Sequence, residues 1–189
     1  MKRMIGLLVA LAIIMANTPT HACNEYHDFQ YSWLKMRLST RSGPGTEYDE
    51  PGTFFSNSWQ NELVRVMGKH WDGNIWWVLV DFSDNNSSYR VWTGLKRVDV
   101  NIDDIPEVYS IGQGTVNSTA SKRGPGRNYA NGPQINHWQD VVAYGWENGY
   151  VEVEYYDQGK VYRVWVPESA VSIDSYIPGT DGIYYNLIP

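Results

Sequence analysis

The chain has 189 residues, 15 basic against 21 acidic side chains, a net charge of −6 and 14% aromatic residues. An acidic chain gains nothing from a polyanion, which argues against nucleic acid as a partner. Its single cysteine cannot pair internally, so stability has to come from packing rather than disulfides.

The first residues read as an export signal. Lys2 and Arg3 precede an apolar run from Ile5 to Met15, broken only by Gly6, and Thr18-Pro19-Thr20-His21-Ala22 ends in a small residue suited to a signal peptidase. The run is shorter than the roughly 20 residues that span a bilayer, and no later segment approaches it, so no membrane span is expected. Loss of residues 1–22 removes two basic side chains and leaves a charge of −8. The protein is then expected in the periplasm, the cell envelope or the medium. Cys23, the sole cysteine, follows the expected cut. It reads either as an incidental free thiol or as the acylated first residue of a lipoprotein. Ala22 suits the lipoprotein pattern, whereas Thr20 and His21 depart from it.

Residues 23–33 read as an N-terminal linker and 34–100 as a first module. Its β-rich runs are Glu62 to Met67, Ile75 to Val80 and Tyr89 to Trp92, with Ser83 to Ser88 as a long hairpin tip. Residues 101–113 form a connector that begins with the polar, Pro-containing stretch Asn101 to Pro106. A second module over 114–173 has runs at Val141 to Tyr144, Tyr150 to Tyr155 and Val161 to Val166. Tyr150 to Tyr155 alternates apolar and acidic residues, as a half-buried antiparallel strand does. Glu147-Asn148-Gly149 and Asp157-Gln158-Gly159 are hairpin turn signals. The tail over 174–189 carries Tyr176, Tyr184, Tyr185, Leu187 and Ile188, apolar enough to pack back onto a module. No stretch after the signal sustains helical periodicity, so the expected fold is all-β.

The two modules repeat one pattern. Thr40-Arg41-Ser42-Gly43-Pro44-Gly45 with Tyr48 returns as Ser121-Lys122-Arg123-Gly124-Pro125-Gly126 with Tyr129, Trp59-Gln60 as Trp138-Gln139, and Tyr89-Arg90-Val91-Trp92 as Tyr162-Arg163-Val164-Trp165. The offset shrinks from 81 to 79 to 73, as loop-length differences between two copies of one unit produce. The hairpin tip at Ser83 to Ser88, against the shorter Asp157-Gln158-Gly159, is expected to account for most of the drift.

Leu38-Ser39-Thr40-Arg41-Ser42-Gly43-Pro44-Gly45 followed by Tyr48 resembles the opening of bacterial SH3 (SH3b) domains. Gly52-Thr53, Trp76-Trp77-Val78, Val91-Trp92 and Val98 resemble later landmarks of that family in order. The second copy keeps Gly124-Pro125-Gly126 and Tyr129 but has Thr119 and Ser121 where the family has Leu and Val. Both copies place Val91 or Val164 where the family has Gly before Trp. The resemblance implies two tandem SH3-like small β-barrels and a ligand such as peptidoglycan peptide or an envelope protein. Pro fixes φ and Gly tolerates positive φ, which suits Gly-Pro-Gly to a tight turn.

No catalytic constellation is legible. His27, His70 and His137 lie in separate segments, no metal-ligand spacing occurs, and Cys23 sits at a terminus, so neither a cofactor nor an enzymatic activity is expected. Asp103-Asp104 reads as a linker turn and His70 as a loop-tip residue. The positive signal is aromatic: 9 Trp and 14 Tyr exceed what two small barrels hold inside. Trp92 and Trp165 read as core. Trp76 and Trp77 are adjacent on a strand and point to opposite faces, so one of them leaves its own core. Tyr48 and Tyr129, beside the Gly-Pro-Gly turns, read either as packing or as binding residues. Together with Trp71, Trp76 and Trp146 they are the candidate ligand-binding set, because flat aromatic faces suit extended peptides and sugar rings. Two functions follow: a non-catalytic cell-wall or envelope binding protein, or an interaction subunit or inhibitor acting on a secreted or envelope enzyme. The acidity suits a basic partner in the second case.

Overall fold

A computed structural model describes residues 29–176. The expected signal segment, Cys23, His27 and the tail beyond residue 176 lie outside the described residues. The first copy contains β1 (Gln30–Trp33), β2 (Leu38–Ser39), β3 (Thr53–Phe54), β4 (Leu63–Trp71), β5 (Trp76–Asp84) and β6 (Ser87–Gly94). The second contains β7 (Gly112–Val116), β8 (Thr119–Lys122), β9 (Asn131–Ile135), β10 (Gln139–Glu147), β11 (Tyr150–Asp157), β12 (Lys160–Pro167) and β13 (Val171–Tyr176). The only helical pieces among the described residues are single 3-10 turns, so the described part of the chain is all-β.

The sheets are antiparallel and follow one order twice. The first copy forms β1-β4-β5-β6 with β2-β3 as a separate pair, and the second forms β13-β7-β10-β11-β12-β8-β9. An isolated bridge from Arg41 to Trp92 stands where Lys122 pairs with Trp165, so β2-β3 continues the first sheet as β8-β9 continues the second. A bridge from Leu34 to Val98 likewise stands where β7 pairs with β13. Among the described residues no sheet closes on itself into a barrel.

Register makes the repeat exact enough to locate its length changes. Arg65 pairs with Asp81 and Val142 with Glu154, and a bulge follows each at Met67 and Tyr144. From there His70 pairs with Trp77 while its counterpart Glu147 pairs with Tyr150. The first copy therefore extends this hairpin through Trp71 and Trp76, and the second closes it at once with Asn148 and Gly149, both at positive φ (53° and 74°). This hairpin, not the stretch Ser83 to Ser88, accounts for four of the six residues in the last fall of the repeat offset, and the other two are lost before Arg65. Ser83 and Asp84 pair with Ser88 and Ser87 as strand, and only Asn85 and Asn86 turn, at φ 48° and 66°. Two positive-φ residues match the right-handed twist of the flanking strands, and Gln158-Gly159 repeats the solution.

Alternation along the central strands divides the interior into three. Val78, Val80, Phe82 and Val91 face the core of the first copy with Leu38, Val64 and Val66. Val151, Val153, Tyr155, Val164 and Val166 face the core of the second. A third cluster (Met67, Trp77, Leu79, Trp92 and Val108, with Tyr144 of the second copy against it) lies on the opposite face of the first sheet. Trp92 and Trp165 are thus buried as expected, but on the opposite strand face from Val91 and Val164, which fill the two private cores. Trp77 is the member of its pair that turns to this shared layer, and Trp76 stays half-buried on the other side.

The segment between the copies belongs to the interior as well. Ile105, Val108 and Ile111 are buried, Lys69 pairs with Glu107 in a parallel bridge, and a Cβ on Gly68 would overlap the Val108 side chain. A polar start conceals three apolar anchors. At the edges, β1 falls inside the expected N-terminal linker, β7 begins at Gly112, and β13 runs on to Tyr176.

Candidate functional site

The two Gly-Pro-Gly turns sit on each other's sheets. Tyr48 of the first copy bridges to Val161 of the second, and Tyr129 of the second bridges to Ser88 of the first. The Tyr48 hydroxyl donates to Glu154 at 2.7 Å and the Tyr129 hydroxyl to Asp81 at 2.6 Å. Asp81 and Glu154 are counterparts, and each also accepts from the arginine nine residues on: Arg90 Nε to Asp81 at 2.9 Å, Arg163 Nη2 to Glu154 at 2.7 Å. Arg163 lies over the ring of Trp92 at 5.5 Å, and Arg90 over that of Trp165 at 5.5 Å. Each copy's arginine therefore rests on the other copy's tryptophan. Arg123 adds an ion pair across to Asp49 at 2.6 Å.

Electrostatics holds this layer in one protonation state. Burial pushes the Tyr48 and Tyr129 hydroxyls well above ordinary tyrosine, with Arg163 and Arg90 working against it, so both act as neutral donors. Burial works against the charge on Arg163, but Tyr144 and Glu154 outweigh it and keep the guanidinium charged. Two carboxylate–arginine pairs placed between sheets and stacked on indole faces are buried charges with partners, the condition under which burial is tolerated.

Of the candidate residues, Tyr129 is buried at 8% exposure and Tyr48 half-buried, so neither stands free beside its turn. The ring of each lies on the first glycine of its own turn: a Cβ on Gly43 or Gly124 would overlap Tyr48 or Tyr129. These glycines have no positive φ; they make room for the ring that reaches the other copy. Trp146 is half-buried against the second core. Trp71 is 47% exposed and forms a tilted pair with Trp76, ring centroids 5.4 Å apart, with Lys69 Nζ 5.4 Å from the Trp76 ring. Trp71 and Trp76 are the candidates brought together, on the hairpin extension that only the first copy has. His70 is on β4 facing Trp77 rather than at a loop tip, and burial with the charge of Arg163 lowers its pKa.

Sequence reasoning missed a second feature. A groove of about 580 Å³ opens on the second sheet, lined among others by Gln113, Asp140, Val142, Glu154, Tyr156 and Asp174. Tyr156 is 67% exposed, and Val161, which bridges to Tyr48, also lines the groove. Among the described residues lining it there is no lysine or arginine. The signal was present in the repeat: Gln113 and Val142 stand where the first copy has Tyr31 and Arg65. Among the described residues, the groove included, no three or more His, Cys, Asp or Glu side chains gather as a metal site, and no helix is long and apolar enough to cross a membrane.

No protein-family model, curated protein or solved structure matches the chain.

Proposed function

We propose that this chain is an exported, non-catalytic binding protein made of two SH3b-like small barrels, which recognises cell-wall peptide or another envelope component. The strand order, repeated with the same bulge in both copies, supports two copies of one unit, and the sequence landmarks support reading that unit as a small SH3b-like barrel. The observation that carries the binding reading is the exposed Trp71 paired with the half-buried Trp76 on a hairpin extended in one copy alone. Large flat rings held by a strand pair offer contact area at little ordering cost, and they suit a sugar ring or an extended peptide. Export would place them in the periplasm, the envelope or the medium, with Cys23 as a lipid anchor in the lipoprotein alternative.

A pull-down with purified sacculi tests this reading. Retention of the protein is expected, and Trp71→Ala should weaken it by about 2 kcal/mol, about thirtyfold. The same change on an exposed ring should shift stability by less than about 1 kcal/mol. Undiminished retention of the variant would remove Trp71 from the site, and absence of retention in the parent protein would end the cell-wall reading. The acidic groove favours a second reading, an interaction subunit or inhibitor that meets a basic region of a secreted or envelope enzyme.

A further inference from the structure

We infer that the groove on the second copy is a receptor for a basic side chain, an arginine above all, presented by an extended segment of a partner protein. This rests on reading the chain as a binding protein and does not depend on binding to the cell wall.

The repeat supplies the template. In the first copy Asp81 faces two arginines: Arg90 from the next strand, and Arg65 from the strand on the other side, whose Nη2 lies 2.6 Å from Asp81 Oδ1. The guanidinium of Arg65 also sits over the Phe29 ring at 5.4 Å. In the second copy Glu154 keeps Arg163, the counterpart of Arg90. The counterpart of Arg65 is Val142, in the same register and before the same bulge. One guanidinium that the first copy builds in is therefore absent from the second, and a groove stands there.

The neighbours changed in the same sense. Asp140 replaces Leu63, and Gln113 and Thr115 replace Tyr31 and Trp33, so the aromatic cover of the first copy gives way to open space and negative charge. Asp174, at the bulge of β13, adds a third carboxylate to the lining. The exposed Tyr156 offers an aromatic surface in the groove, a role Phe29 plays for Arg65. A planar guanidinium satisfies carboxylates in pairs and stacks on a ring, which an ammonium does less well. The volume exceeds a single side chain and lies within the range of a small-ligand pocket, so residues flanking the arginine have room.

The test is an amide-shift NMR titration of the purified protein with an acetylated, amidated pentapeptide of four glycines around a central arginine. An identical peptide with citrulline, the neutral isostere, runs beside it. Shifts are expected on β7, β10, β11 and β13, with citrulline binding at least about tenfold weaker and the arginine peptide losing affinity as salt rises. Val142→Arg should fill the groove from within, as Arg65 does, and abolish the shifts. Asp140→Asn and Asp174→Asn, both at exposed positions, should weaken binding without loss of fold, which covers the case in which Val142→Arg does not fold. Equal binding of the citrulline peptide, shifts confined to other surfaces, or none up to about 10 mM peptide would overturn the inference. Sacculus retention is read independently: its failure with peptide binding intact removes only the cell-wall reading, and the converse removes only the groove.

Discussion

Replacing Arg163 with alanine is expected to cost about 3–5 kcal/mol of stability. Its side chain is 3% exposed and reaches three aromatic rings, those of Tyr144 at 3.5 Å, Trp92 at 5.5 Å and Tyr48 at 5.6 Å. Alanine removes the charge that balances Glu154 and leaves a void among those rings. Glu154 would stay largely buried beside Tyr48 with no arginine against it. For a chain of this size the loss corresponds to a fall in Tm of about 6–20 °C. Arg163→Lys keeps the charge but neither the planar stack nor the paired donors to Glu154, so it should recover only part of the loss. A variant melting within about 2 °C of the parent would mean that the charged layer contributes little.

Trp92→Ala should be comparably damaging, at about 3–5 kcal/mol, and its signature distinguishes a shared layer from a private core. The indole is fully buried, belongs to the cluster with Met67, Trp77, Leu79 and Val108, and lies beneath the other copy's guanidinium. Its damage should therefore depend on Arg163. Urea unfolding of Trp92→Ala, Arg163→Ala and the double variant forms a cycle in which a coupling above about 0.5 kcal/mol is expected. Additive losses would place Trp92 in a core of its own.

The private cores were legible in the sequence because strand alternation is local. The runs around Val80, Val91, Val153 and Val164 reveal their apolar sides without any knowledge of the partner strand. The layer between the copies was not legible, because its contacts join residues far apart in the chain: Tyr129 to Asp81, Tyr48 to Glu154, Arg163 to Trp92. A clue was present all the same. An arginine recurs inside the apolar strand Tyr-Arg-Val-Trp, with an acidic residue nine positions earlier in both copies. A charge repeated in the middle of a buried strand marks a paired site.

The candidate site was legible only in part, for the same reason. Trp71 and Trp76 stood out as large flat side chains, but their pairing depends on the length of the β4–β5 hairpin, which only strand register shows. Tyr48 and Tyr129 could be read either as packing or as binding residues because a turn viewed alone has an open side, and the other copy covers it. The acidic groove was hidden by register. Asp140, Glu154 and Asp174 are scattered in the sequence, and only strand pairing shows that Val142 stands where Arg65 does.

Native-state hydrogen exchange asks directly whether the two copies form one unit. In low urea, the slowest amides of β4–β6 and of β10–β12 should exchange through a single opening with one free energy and one urea slope. Arg163→Ala should lower that free energy equally in both sets. If the amides of one copy opened at a lower free energy, or if Arg163→Ala weakened the second copy alone, the two halves would be independent domains in contact, and the reciprocal layer of Tyr48, Tyr129, Arg90 and Arg163 would not bind them together.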